Sequence, residues 1–274
     1  MIELPEAKVL AKQINETIVG KRVKKVTAAK SPHKFAWYYN NPEEYPGLLI
    51  GKTIGTAASC GGMVEIPAGE ATLLFADGVN LRYFAAQEKR PDTHQLWIEF
   101  EDASSLVSSV QMYGGLWAFP TGSFHNEYYQ LSKGKTPPFS DAFNNAYFDS
   151  LFSESTDKLS LKAFLATKQR IPGLGNGVLQ DILFNAKMHP KKKVNTLSSK
   201  DKEGLLHSLK VTLAQMVDGG GRDTETDLKG NPGGYETLLS KNTVNKPCSK
   251  CGTIIRKEAY MGGSIYFCPH CQET

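Results

Sequence analysis

Four cysteines in PCSKCGTIIRKEAYMGGSIYFCPHC constrain this chain more than any other feature. Cys248 and Cys251 form one Cys-x-x-Cys pair, Cys268 and Cys271 a second, and sixteen residues separate the two. This spacing belongs to four-cysteine zinc sites rather than to a disulfide framework. Each pair can set two thiolates on one knuckle, and the intervening TIIRKEAYMGGSIYF has the β-branched and aromatic content of a hairpin, turned at Gly262 and Gly263. Four thiolates leave no open coordination position, so one Zn2+ is expected to fold a ribbon and do no chemistry. Iron, a labile redox pair and chance spacing are the alternatives. His270, between Cys268 and Cys271, is surplus to a tetrahedral site and is expected to be exposed.

Ahead of the ribbon the chain is long enough for two further units. Its 274 residues, 40% hydrophobic and 22% charged, can bury real cores. VLAKQINETIVG (9–20) spaces its apolar residues as an amphipathic helix that stops at Gly20. VKKVTAA, TLLFADG, NLRYF, QLWIEFED and SLVSSVQMYG follow, short runs that often alternate and are bounded by turn residues. They predict an antiparallel sandwich or barrel over residues 1–121. Residues 122–140, polar with two adjacent prolines, read as a linker. Residues 141–240 read as helices (AFNNAYFDSLF, KLSLKAFLATK, VLQDILFNAKM and KDKEGLLHSLKVTLAQMV, the last behind a cap at Ser198 and Ser199), and 241–274 as the ribbon. GGGRDTETDLKGNPGGY (219–235) is rich in glycine and charge with almost nothing to bury, which predicts a flexible or substrate-contacting loop.

Net charge is +4, from 32 Lys+Arg against 28 Asp+Glu, compatible with a nucleic-acid partner without demanding one. The clusters Lys21, Arg22, Lys24, Lys25 and Lys187, Lys191, Lys192, Lys193 could meet phosphates, although each taken alone reads first as a solvated surface run. The N-terminal segment has neither the basic start nor the apolar run of a signal peptide. No run of about 18 apolar residues occurs, so no membrane helix is expected and the chain should be soluble and intracellular.

In IPGLGNGVLQDILFNAKMHP (171–190) a glycine turn opens directly onto a helix. Free backbone N–H groups there, with Asn176 beside them, suit an anion, although such turns are commonly structural. MIELPEA, SLKAFLATKQRIPGLGNGVLQDILFNAKMHP, DLKGNPGGY and the terminal ribbon, taken together and in this order, resemble the formamidopyrimidine-DNA glycosylase and endonuclease VIII family of base-excision repair enzymes over nearly the whole chain. The resemblance implies an α+β fold: an N-terminal antiparallel β-sandwich with flanking helices, then a helix-two-turn-helix domain with a C-terminal zinc ribbon. It implies a monomer that binds damaged double-stranded DNA in the cytoplasm, on a bacterial nucleoid, and everts an oxidised base for removal. Lys162 and Asn176, with Gly175 beside it, match family contacts to backbone phosphates. Glu3 matches the carboxylate that moves protons during base release, and Glu6 a second glutamate of the motif. By position alone, without the resemblance, Glu3 reads as an ordinary first-turn helix carboxylate.

The chain departs from the family pattern at three single positions and one three-residue loop. Ile2 stands where the family has its proline nucleophile, and a β-branched second residue predicts that Met1 stays. Cys60, in ASCGGMVEIP, replaces a lysine, and a thiol cannot supply a fixed ammonium; a buried inert thiol is the simpler expectation for it. Gly263 replaces a phosphate-binding arginine of the zinc hairpin. Gln111, Met112 and Tyr113 replace the family's gap-filling Arg and Phe loop, either as a wedge or as a plain hairpin edge. Losses in strand-cleaving residues beside retained DNA-gripping ones predict a damaged-DNA-binding protein resembling a bifunctional glycosylase/AP lyase, its lyase activity weak or lost. The alternative is a non-catalytic protein that binds lesions or DNA structure on the same fold.

Overall fold

In the computed structural model, residues 1–272 are described. The first helix, α1 (Leu4–Thr17), starts earlier than its apolar period suggests. Glu3 is its N-cap, and the Glu6 carboxylate accepts the Glu3 backbone N–H at 3.2 Å, so the start is set by capping and not by the hydrophobic stripe. Ala7, Leu10, Ala11 and Ile14 face the core of the N-terminal half, whereas Leu4 packs into that of the helical half. One short helix therefore belongs to both cores.

Seven strands make one hydrogen-bonded sheet in the order β1-β6-β7-β5-β4-β3, with β2 beside β7. They are β1 (Val23–Ala28), β2 (Ala36–Trp37), β3 (Ala58–Cys60), β4 (Met63–Ala68), β5 (Ala71–Phe84), β6 (Leu96–Phe100) and β7 (Ser105–Pro120), with helix α2 (Tyr45–Leu49) between β2 and β3. All pairs are antiparallel except β2 with β7. The long pair β5 and β7 serves both layers of the sandwich: Val79–Phe84 with Ser105–Val110 lies beside β6, and Ala71–Asp77 with Gly114–Pro120 lies beside β4. TLLFADG and NLRYF, expected as separate strands, are the two halves of β5. The alternation breaks at a bulge, where the register jumps between Asp77 and Val79.

The segment 122–140, expected as a polar linker, contains helix α3 (Glu127–Gly134). Asn126 caps it by accepting the Tyr129 N–H at 3.0 Å, and the Tyr129 hydroxyl donates to Glu65 at 2.7 Å. Phe124 stacks on Phe119 with ring centroids 4.7 Å apart. The aromatic residues hold this segment to the sheet, which its low overall hydrophobicity disguised.

The helical half comprises α4 (Asn145–Asp149), α5 (Leu161–Ala166), α6 (Asn176–Asn185) and α7 (Ser199–Asp218) around Phe148, Phe164, Leu179, Leu183 and Leu209. Ser198 and Asp201 form the capping box of α7. Between α5 and α6 the chain turns through left-handed Lys168, Gln169 and Gly173. The ribbon hairpin pairs β8 (Arg256–Tyr260) with β9 (Gly263–Phe267) and turns at Met261 and Gly262, both left-handed as a two-residue hairpin turn requires, one residue earlier than the expected Gly262 and Gly263, because Gly263 already pairs with Tyr260. No helix among the described residues is long and apolar enough to cross a membrane.

Candidate functional site

The turn before α6 leaves that helix without a cap of its own, because Gly175 at its N-cap has no side chain. Glu3 supplies one from the other half of the molecule: its carboxylate accepts the Gly177 N–H at 2.9 Å and the Val178 N–H at 2.8 Å. A Cβ on Gly175 would lie 2.5 Å from the Glu3 carboxyl carbon, and one on Gly177 would lie 1.7 Å from Arg222 Nη1. These glycines let the carboxylate and guanidinium reach the helix end.

Arg222 completes the junction. It is 2% exposed and forks onto Glu6, with Nε to Oε1 at 2.9 Å and Nη2 to Oε2 at 2.8 Å, while Nη1 lies 3.7 Å from Glu3 Oε2. Burial raises Glu3 above the usual carboxylate range, Arg222 opposing this and the Glu6 charge adding to it. Burial pushes Glu6 the same way, but the charge and hydrogen bonds of Arg222 overcome it and hold Glu6 low. Arg222 comes from the loop expected to have almost nothing to bury. That expectation fails twice, since Leu228 of the same loop is fully buried in the N-terminal core. Its backbone N–H donates to Gln13 at 2.9 Å, and its carbonyl accepts from Tyr83 N at 2.8 Å.

The same loop reaches the N-terminus. Ile2 is buried and its N–H donates to the Asp77 carbonyl at 2.6 Å, so Met1 is displaced outward and its amine forms an ion pair with Glu225. Asp77, left-handed at φ 59°, sits beside the amine; burial pushes its carboxyl up and the amine partly offsets this. Met1, Ile2, Glu6, Asn80, Gln111 and Glu225 border a cavity of about 30 Å³, room for roughly one water.

Gln111, Met112 and Tyr113 lie at the rim of this cavity for a reason visible in the ladder. Val79 pairs with Val110 and Asp77 with Gly114, so all three residues stand opposite Gly78 alone and are extruded from the sheet. Any side chain at 78 would meet the Tyr113 carbonyl oxygen at 2.5 Å. Met112 projects, 66% exposed, and Tyr113 rests against Trp37 with ring centroids 5.6 Å apart.

Lys162 and Asn176 meet at the ribbon hairpin. Lys162 Nζ donates to the Tyr260 carbonyl at 2.6 Å, and Asn176 Nδ2 donates to the Ser264 carbonyl at 2.9 Å. The lysine residue is 4% exposed, no described carboxylate lies within 4.0 Å, and burial lowers its pKa. Both donors are engaged by ribbon carbonyls, and the ammonium has no ion-pair partner among the described residues.

The four ribbon thiols all lie within 4.8 Å of one another, with Cys248 and Cys271 sulfurs 3.9 Å apart and Cys251 and Cys268 3.5 Å apart. A tetrahedral ion bound at about 2.3 Å spaces its sulfurs by about 3.8 Å, so the set fits one metal ion. His270 is exposed, as expected.

A family model for the N-terminal domain of formamidopyrimidine-DNA glycosylase matches residues 1–144, and one for that family's helix-two-turn-helix domain matches residues 135–227. The chain belongs to the formamidopyrimidine-DNA glycosylase family. It is 27% identical over 282 residues to the Cytobacillus firmus formamidopyrimidine-DNA glycosylase, covering 99% of this chain and 100% of that protein. It is 26% identical to the Bacillus subtilis enzyme of that name over 283 residues, 99% of each. The fold is that of Lactococcus lactis Fpg crystallised with an N7-benzyl-Fapy-dG DNA (TM-score 0.84, 24% identity, 99% and 100% coverage). It is also that of Thermus thermophilus Fpg (TM-score 0.80, 22% identity, 98% of each chain).

The positions expected to depart from the family pattern have a definite physical setting. Cys60 is half-buried and its thiol is pushed up to about 11, first by burial and then by the Glu65 charge, so it is neither an ammonium nor a ready thiolate. Gly61 and Gly62 press the β3–β4 turn onto Pro172 and Gly173: a Cβ on Gly173 would lie 2.1 Å from Gly62 N. Backbone contact between the halves thus occupies the space beside Cys60. Gly263 leaves the Lys162 ammonium 3.4 Å from where its own Cβ would stand. Arg222, Glu225, Asp77 and Asn80 were not singled out from sequence. The one available signal was an arginine within a glycine run beside two acidic residues.

Proposed function

We propose that the chain binds double-stranded DNA carrying a damaged base and serves base-excision repair as a DNA glycosylase whose AP lyase chemistry is weak. The observation that carries this is the extruded Gln111–Met112–Tyr113 bulge beside the N-terminal amine, a placement that would suit a wedge at an everted base. Lys162 and Asn176 would hold a backbone phosphate at the ribbon, and Gln111 with Tyr113 would fill the gap left by an everted base. One structural Zn2+ would be held by Cys248, Cys251, Cys268 and Cys271, where it supplies folding energy to the hairpin that meets Lys162. The protein would act as a monomer in the bacterial cytoplasm.

Three features argue for weakened lyase chemistry. Covalent attack needs an unprotonated amine free to reach the sugar, and the Met1 amine is engaged by Glu225. Cys60 offers a thiol where the family pattern would have an ammonium, and Gly263 has no side chain with which to reach a phosphate. Base loss then proceeds by attack of water, or slowly of the Met1 amine, at the sugar carbon; the base departs with the electron pair of its glycosidic bond and takes up a proton. A second, non-catalytic reading is favoured by one observation: both oxygens of Glu3 already cap α6.

Incubating the protein with duplexes containing an oxidised purine, an oxidised pyrimidine or an abasic site, with borohydride present, tests this. Base release with little trapped adduct is the expected result. Efficient trapping overturns the weak-lyase reading, tight lesion binding without base release selects the non-catalytic one, and equal affinity for undamaged duplex refutes both.

A further inference from the structure

Resting on the DNA-binding reading, the inference concerns a surface away from the Lys162–Asn176 pair. On one face of β5, the partly exposed Asn80, Arg82 and Phe84 follow one another at alternate positions, opposite Ser109, Val107 and Ser105 of β7. Asn80 borders the cavity at the N-terminal amine, so this face begins at the bulge and leads away from it. Two adjoining grooves of about 440 and 470 Å³ share Arg82, Phe84 and Lys89; the first runs from Asn80 to Arg90, and the second ends at Lys229.

The charge on this face is one-sided. None of Lys25, Arg82, Lys89, Arg90 and Lys229 lies within 4.0 Å of a carboxylate among the described residues. Glu88 is the one acidic side chain lining the grooves, and it is turned to the Ala85 backbone N–H at 2.7 Å. The Arg90 guanidinium lies 3.7 Å from the Trp97 ring centroid, and Lys25 covers the same ring at 5.1 Å. Gly230, left-handed, lets the backbone of the 219–235 loop approach Arg82: a Cβ there would lie 2.0 Å from the guanidinium carbon. The Arg82 Nε is buried without a hydrogen-bond partner. A surface that carries this many uncompensated cations is stabilised by an anionic partner.

We propose that this strip binds the phosphate backbone of the DNA flanking the lesion, extending the contact from the Gln111 wedge along β5. From Asn80 to Phe84 the strand spans about 13 Å, enough for three or four phosphates of one duplex strand at about 3.4 Å of axis each. Arg82, Lys89 and Arg90 make the contacts, and they position the duplex without reading its sequence.

The test uses zinc-loaded full-length protein, an abasic-site duplex long enough to cover the strip, and affinity measured across a salt series. Lys89 and Arg90 are exposed, so Lys89→Ala/Arg90→Ala should fold normally. It should make the slope of log affinity against log salt shallower by about 1.8, two contacts at about 0.9 each. Lys8→Ala/Lys12→Ala, which removes the same charge from the exposed side of α1, should leave the slope unchanged. An unchanged slope in the first variant with DNA affinity retained, or an equal change in both, overturns the strip alone. Wild-type protein without DNA affinity overturns the strip together with the DNA-binding reading.

Discussion

Replacing Arg222 by methionine should be among the most damaging single changes in this protein. The side chain is 2% exposed and faces Glu3 and Glu6, which are 6% and 4% exposed. Methionine keeps much of the volume and removes both charge-assisted bonds to Glu6 along with the cation that lies beside Glu3. Two such bonds at about 1.5–3 kcal/mol each, and the known cost of stranding a buried charge, about 3–5 kcal/mol, point to the same loss at neutral pH. For a chain of this size that lowers the melting midpoint by roughly 10 °C. The loss should depend on pH in a definite direction. In the wild type Glu6 is held below its ordinary 4.5, so its contribution is present above about pH 4.5 and fades as pH falls through its folded value. Glu3 is raised above 4.5, so it works the other way and costs stability as pH rises through its folded value. Without Arg222, burial pushes both carboxyls up; protonation then relieves the variant as pH falls toward 4.5, whereas the wild type keeps its Glu6 contribution until pH falls below about 4.5. The gap between the two proteins should therefore be widest near pH 7.5 and shrink toward pH 4.5. Urea melts followed by tryptophan fluorescence report the N-terminal half, since Trp37, Trp97 and Trp117 all lie there, and far-UV circular dichroism reports the helices. Both signals should shift, because the clasp joins both halves. A cost under about 1 kcal/mol, or one that does not vary with pH, would show that the clasp is not an electrostatic one.

Four further outcomes follow from the geometry. Gly177→Ala drives a Cβ into Arg222 and should destabilise by about 2 kcal/mol or more, visible as a lowered urea midpoint; an unchanged midpoint contradicts the interdomain packing. Lys162→Met should weaken DNA binding roughly tenfold while the melting midpoint stays level or rises, because the buried ammonium has no carboxylate partner; a lowered midpoint would assign it a structural role instead. Cys60, with its thiol near 11, should be alkylated by iodoacetamide at pH 8 about a hundredfold more slowly than a free cysteine, read by mass spectrometry of zinc-loaded protein. Purified protein should carry about one zinc, and chelation should abolish DNA affinity while leaving tryptophan fluorescence of the N-terminal half unchanged.

Much of the architecture was legible because it is written in local periodicity. The α7 cap at Ser198, the ribbon hairpin and the helix opened by the Gly-Leu-Gly-Asn turn all lie where spacing and capping chemistry put them. Strand β5 was misread as two because a bulge interrupts alternation without ending the strand. Helix α3 was missed because a few aromatic contacts, rather than an apolar stripe, hold it to the sheet. The loop at 219–235 was misread most, since an arginine and a single leucine in a polar run give no local sign of burial.

By itself the sequence determined the four-thiol ribbon, the order of the elements and the identity of Glu3, Lys162 and Asn176 as residues to watch. These depend on spacing along the chain, which folding does not alter. Only the tertiary structure decided what those residues do in the folded state. Glu3 is a helix cap because α6 ends against it, Met1 is held by Glu225 because a distant loop closes over the N-terminus, and Gln111–Tyr113 protrude because Gly78 alone stands across from them. Each of these depends on a partner from a separate element, and such pairings exist only once the chain has folded.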